Sequence, residues 1–117
     1  MGTHEELDVW KLSMNLVVDI YKLTMSFPSE EKFGLISQLR RAAVSVPSNI
    51  AEGAARKSDK ENIQFLYISL GSLAEIETQL LISNRLGFCD SDKILKQTKI
   101  VKSKLINFIK YLKSIKN

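Results

Sequence analysis

The chain has 117 residues, one cysteine, one histidine, two prolines and five glycines. That length buries a single core without disulfides or metal, and so few prolines and glycines leave little material for a turn-rich β fold. Cys89 alone excludes an intrachain disulfide and fits a reducing compartment. His4 alone cannot seed a zinc-type ligand cluster, and it is expected in solvent on a flexible N-terminus of residues 1–6. The start lacks a secretion-signal pattern, and no uninterrupted apolar stretch approaches the ~20 residues of a membrane span. The expectation is a single-domain cytoplasmic protein with no membrane partner. A formal charge of +4 conceals a split: residues 1–92 carry nine basic and thirteen acidic side chains, whereas 93–117 carry eight lysines and no acid. A basic segment on an acidic body is drawn to polyanions or to the acidic face of another copy.

The first segment places Leu7, Trp10, Met14, Val17, Tyr21 and Met25 at three- and four-residue steps, one face of a helix that Pro28 ends. Ser29 offers a cap for the second helix, and Glu30 and Glu31 suit the positive end of its dipole. In that helix Ile36, Leu39, Ala43, Val46 and Ile50 keep their register straight through Pro47, which predicts a continuous rod bent where the proline lacks an N–H. A restart at Asn49, with Glu52 completing a capping box, is the competing reading. Ser58 and Glu61 form a capping box for a long third helix, with an apolar stripe of Leu66, Leu70, Leu73, Ile76, Leu80 and Leu81. Gly87 and Phe88 supply its stop. Asp90 or Ser91 caps a fourth helix whose seam reads Ile94, Thr98, Val101, Leu105, Phe108, Leu112 and Ile115.

Four amphipathic helices with short connections predict an all-α, antiparallel up-down-up-down four-helix bundle. Further apolar residues lie off these seams: Val9, Leu16, Val18, Ile20 and Leu23 in helix one, Ile63, Phe65, Tyr67 and Ile68 in helix three, Ile100, Ile106 and Ile109 in helix four. Helices apolar on more than one side predict a self-associating surface and a closed homo-oligomer.

Arg40, Arg41, Arg56, Lys57 and Lys60 form one cationic set suited to phosphate. Arg56 also stands four residues from Glu52, and Arg40 is expected to reach Glu75 or Glu77. Lys96, Lys99, Lys102, Lys110 and Lys113 form a second set, with Tyr111 the one plausible stacking partner, so any contact there is electrostatic and weakly selective. Glu52, Glu75 and Glu77 lack the Glu-x-x-His pairs of a bundle di-metal site, so no metal or cofactor is expected. One of these glutamates is expected to be partly buried, held by Arg40 or by Ser48 and Asn49, and to tie helix two to helix three. Ser45, Ser48 and Cys89 have no histidine partner from an ordered segment, and neither a nucleophile elbow nor a glycine-rich phosphate loop occurs. The expectation is no catalytic residue and no enzyme.

The stretches QLRRAAVSVPSNIAEGAAR (38–56) and GSLAEIETQLLISNRLGF (71–88), with DVWKLSMNLVVDIYKLTMSFPSEEKFGL (8–35) before them, resemble the bacterial four helix bundle family, also called 23S rRNA intervening-sequence proteins. The resemblance runs from about residue 7 to about residue 112. It implies a four-helix bundle without established catalysis, similar to the accessory proteins of diversity-generating retroelements. Those form homopentamers that bind nucleic acid and a reverse transcriptase. By position the resemblance carries over Arg40–Arg41, Pro47–Ser48–Asn49, Glu52–Gly53, Glu75 and Glu77, while the lysine-rich last helix lies outside the family's signature. Together these readings predict an oligomeric RNA- or DNA-binding protein, with a protein–protein scaffold as the alternative.

Overall fold

Three of the four helices begin or end on a local hydrogen-bonding device. In the computed structural model, which describes residues 4–115, four helices form: α1 (Asp8–Thr24), α2 (Leu35–Ala54), α3 (Asp59–Arg85) and α4 (Asp92–Ser114). Short 3-10 turns occupy His4–Glu6 and Ser29–Glu31, and no strand forms among the described residues. The first three residues of the proposed flexible terminus lie outside that range. His4 itself packs its ring edge-on against Trp10, centroids 5.2 Å apart, rather than standing free in solvent.

At the start of α3 the Glu61 amide donates to Ser58 Oγ at 3.1 Å, and the Ser58 hydroxyl donates to the Glu61 carboxylate at 3.2 Å. At its end Gly87 adopts φ 78°, a left-handed conformation that a side chain would strain. Gly87 N–H donates to Asn84 O at 3.0 Å and Phe88 N–H to Ser83 O at 2.9 Å, closing a Schellman turn. The Phe88 ring then rests on Phe27, centroids 5.7 Å apart. Ser29 does not cap α2; it opens the preceding 3-10 turn, and the cap is supplied by Glu31, whose Oε1 accepts the Leu35 amide at 3.1 Å. The acid thus meets the helix dipole directly, and an added Cβ at Gly34 would fall 2.7 Å from that oxygen. For α4, Asp90 is the partner of the first turn, accepting from the Asp92 amide at 3.1 Å; Ser91 makes no cap bond.

α2 is one uninterrupted helix through Pro47, which is itself buried, so the restart at Asn49 does not occur. Small residues explain what the segment accommodates. Gly53 lies so close to α3 that an added Cβ would sit 2.4 Å from Asn62 Oδ1, 3.0 Å from the Asn62 carbonyl oxygen and 3.1 Å from Phe65 Cβ. Ser69 donates to Val46 O at 2.8 Å and Ser72 to Ser45 Oγ at 2.9 Å, while Gln79 donates to Gln38 at 3.2 Å. These pairs ascend one helix as they descend the other, so α2 and α3 run antiparallel. α1 packs on α2 and α4, and α3 packs on α2 and α4, with one shared core between the four. The result is an elongated bundle, 49 × 21 × 20 Å.

The inward face of α1 differs from its sequence reading. Val9, Ser13, Leu16, Ile20 and Thr24 are buried, whereas Met14 and Tyr21 are exposed and Met25 is 77% exposed. The stripe is turned by one residue, because two hydroxyl residues occupy the true seam. Ser13 donates to Trp10 O at 2.8 Å and Thr24 to Ile20 O at 2.9 Å, so each satisfies its polar group within its own helix and can be buried. α4 uses the same device at Thr98, which donates to Ile94 O at 2.7 Å. In that helix Ile109 is in the core, Phe108 packs at its edge, and Ile115 is exposed. In α3, Ile63 is buried and Leu81 is exposed. α3 has an 18-residue window apolar enough by length and composition to cross a membrane (mean hydropathy 1.3), a third of it buried in the bundle.

Candidate nucleic-acid interface

Two lysines of helix four reach side chains of α3, while Lys93 stands near Asp19 and Leu23 of α1. Lys113 Nζ donates to Tyr67 Oη at 2.6 Å and lies 5.2 Å from that ring's centroid. Eleven residues earlier, Lys102 meets Glu77 at 3.6 Å. These two contacts run in opposite sequence directions along α3 and α4, so the helices are antiparallel. Lys96, Lys99 and Lys110 are exposed. None of the three forms an ion pair among the described residues, whose salt bridges are Glu52–Arg56 and Glu77–Lys102. From Lys96 to Lys113 the row spans about 25 Å at the usual helical rise.

The antiparallel arrangement brings the start of α3 to the end of α4. Lys57 and Lys60 therefore extend the lysine row at one end of the bundle, both exposed and without an ion pair among the described residues. Arg56, grouped with them by sequence, is already engaged. Its guanidinium meets Glu52 Oε1 at 2.6 Å, donates to Glu52 O at 3.1 Å and covers the Phe65 ring at 4.9 Å. The pair is solvent-exposed, so it stabilises by about 1 kcal/mol at most, and a phosphate can compete for it. Arg41 stands apart, in the α2–α3 groove with Glu75.

Arg40 does not reach Glu75 or Glu77. It points to α1 instead, donating from Nε to Thr24 Oγ1 at 2.9 Å and from Nη2 to Tyr21 O at 3.3 Å, with its guanidinium 4.5 Å above the Tyr21 ring. Planar stacking and directed donors suit arginine here. Nor does a glutamate tie α2 to α3. Glu52 and Glu75 are exposed, and Glu77 is half-buried against Lys102. Asn49 turns back within α2, donating to Ser45 O at 2.9 Å and Ser45 Oγ at 3.0 Å, and Ser48 is exposed toward α1. The uncharged serines at 45, 69 and 72 hold the two helices together. Sequence reasoning passed over Ser69 and Ser72 and counted Tyr67 only as an apolar surface residue, although serines recurring at 69, 72 and 83 beside the apolar stripe of α3 are the signal of a close helix contact.

No group of three or more potential metal ligands occurs among the described residues. Burial pushes the Cys89 thiol above its ordinary pKa, with the nearby Asp90 charge adding to the effect. That favours an inert thiol.

The class defined by this geometry is a small all-α bundle whose last helix is rich in exposed lysines. The chain belongs to the 23S rRNA-intervening sequence protein family, whose model matches residues 5–110. Among solved structures it is similar to a crystal structure of a protein of unknown function from the S23 ribosomal protein family of Bacteroides thetaiotaomicron. The two are 25% identical, with a TM-score of 0.78 over 87% of this chain and 98% of the other. No curated protein matches the sequence.

Proposed function

We propose that the protein is a non-catalytic, cytoplasmic, homo-oligomeric nucleic-acid-binding bundle, whose phosphate contacts come from the α3–α4 side. The observation that carries this reading is the set of cations without ion pairs among the described residues, Lys57, Lys60, Lys96, Lys99 and Lys110. Glu77 is the acid that pairs with a lysine of helix four, and Asp59 and Glu61 flank Lys60 without pairing with it. Lys102, Lys113 and Arg56 join them by exchanging weak surface contacts for phosphate, and Arg41 contributes from the neighbouring groove. Self-association is supported by the α1 strip of Met14, Val18, Tyr21 and Met25, all exposed and joined on α2 by exposed Val44. A homopentamer is the assembly that the family resemblance suggests, and a reverse transcriptase the protein partner. Repetition of a weak cationic row around a ring multiplies avidity without a new kind of contact.

A mobility-shift titration with structured RNA and duplex DNA over a salt series tests the reading. Affinity is expected to fall steeply with salt and to depend little on sequence from these lysine contacts. Binding that is indifferent to salt, or absent at low salt, sinks it. A scaffold that docks an acidic protein is the second reading, favoured by the same exposed α1 strip. It predicts a stable assembly with no shift of either nucleic acid.

A further inference from the structure

Besides Arg41, the groove between α2 and α3 holds polar groups that neutralisation of phosphates does not use. Arg41 on α2 and Glu75 on α3 line one hollow of about 260 Å³, with the Ser45 and Ser72 hydroxyls between them. Opposite charges face the same space, yet no ion pair joins them. At one end Gln79 donates to Gln38, while its own Oε1 is buried without a hydrogen-bond partner. A second, open hollow of about 270 Å³, lined by α3 alone, shares Glu75 and Gln79 and lies on the outer face of that helix over Gly71, Ala74 and Thr78. The space over Gly71 is open, since an added Cβ there would meet nothing within 4 Å. The groove thus carries a carboxylate and a guanidinium that form no ion pair with each other, and the uncluttered outer face of α3 adjoins it at Glu75 and Gln79.

We propose that this groove binds an unpaired guanine base of a single strand, an inference that rests on the nucleic-acid reading above. A carboxylate accepts only, and guanine offers it two parallel donors, N1–H and the N2 amino group. A guanidinium donates only, and guanine offers O6 and N7 on the adjoining edge. Adenine places the N1 lone pair toward the carboxylate, and the pyrimidines lack the N7 acceptor. The bare surface at Gly71 and Ala74 admits a flat ring. Bases splayed from single strands are read in this way, by their edges rather than their phosphates. The lysine row then supplies affinity, and the α2–α3 groove supplies selectivity.

The test uses the full chain and fluorescein-labelled twelve-nucleotide strands, all adenine or with one central guanine, as RNA and as DNA. Free guanosine and adenosine monophosphates are titrated in parallel, read by NMR on the Gln38 and Gln79 side-chain amides. One guanine is expected to tighten binding about tenfold. Glu75→Gln is expected to erase that gain without weakening binding of the all-adenine strand, and only the guanosine nucleotide is expected to shift the amides. Equal gains in RNA and DNA support recognition of the base alone; a gain confined to RNA supports it with an added ribose contact. Strands that bind equally, with no amide shift, overturn the guanine groove and leave the cationic face standing. An amide shift without binding of any strand keeps the groove and overturns the face. A Glu75→Gln change in assembly mass, in place of an abolished guanine preference, overturns the groove as a base site and assigns it to contact between copies.

Discussion

Helix α3 has two neighbours, and the two seams it makes are built on opposite principles. Against α2 the buried contact is close and uncharged, with Arg41 and Glu75 only at its exposed rim: Gly53 sits on Asn62, and Ser69 and Ser72 bond the facing helix. Against α4 the bordering polar contacts are a 3.6 Å lysine–glutamate pair and a lysine–tyrosine bond at the rim. Close approach restricts the sequence, because a protein interior has no spare volume for even one carbon. A seam edged by long, solvated side chains imposes no such limit, because their charged heads stay in water while their stems cover the apolar surface. The buried part of the α2–α3 seam is thus where substitutions should unfold the protein. The outer side of α4 and the exposed rim of the α2–α3 groove are where they should change what it binds.

The largest effect expected from this contrast is at Gly53. Gly53→Val should cost about 3 kcal/mol, since the obstructing Asn62 carbonyl is backbone and cannot yield. Denaturant unfolding measures it, and a destabilisation no greater than that of an exposed-site substitution would break the account of close packing. Arg40→Ala comes next, at about 2 kcal/mol, because it removes both donors and the stacking on Tyr21. Arg40→Lys should recover little of that, as a point charge cannot reproduce the fork. Ser69→Ala should cost about 1 kcal/mol for one buried hydroxyl bond. The smallest stability effect belongs to the other seam. Lys110→Glu with Lys113→Glu should change stability by no more than about 0.5 kcal/mol. The same pair of changes should weaken nucleic-acid binding and flatten its salt dependence by about one unit of slope for each phosphate that is no longer neutralised. A large drop in stability from that pair would erase the distinction between the seams.

Much of the fold is legible locally. Ser58 with Glu61, and Gly87 with Phe88, act within a few residues of themselves, so a sequence pattern is the whole of their cause. The register of α2 through Pro47 is equally readable, because a helix that preserves its apolar face across a proline has a partner on that face throughout. The α1 seam is less so. Apolar residues surround that helix on more than one side, and burial of Ser13 and Thr24 depends on each bonding a carbonyl one turn back. A pattern that counts only apolar positions reads past them. The cap of α2 fails for a related reason: Glu31 reaches forward to the Leu35 amide across an irregular turn whose path the sequence does not display.

The candidate site divides in the same way. The lysine content of the last helix and the local Glu52–Arg56 pair are properties of spacing along one segment, and the structure retains both. The partners of Arg40, Glu75 and Glu77 are properties of which helices meet, and at what rotation. Arg40 faces α1, Glu77 faces α4, and Glu75 shares a groove with Arg41. Charged side chains are long enough to reach several neighbours, so their spacing along a helix leaves the choice open.

By itself, the sequence determined the number of helices, the ends governed by short-range hydrogen bonds, the family and the concentration of positive charge in the last helix. Each follows from interactions within a turn or two of the chain, or from composition. Only the tertiary structure decided which face of α1 turns inward, how near α2 comes to α3, and which cations remain uncompensated. Those outcomes depend on the volume between helices and on the distance between charges on different segments, quantities that come into being when the helices pack.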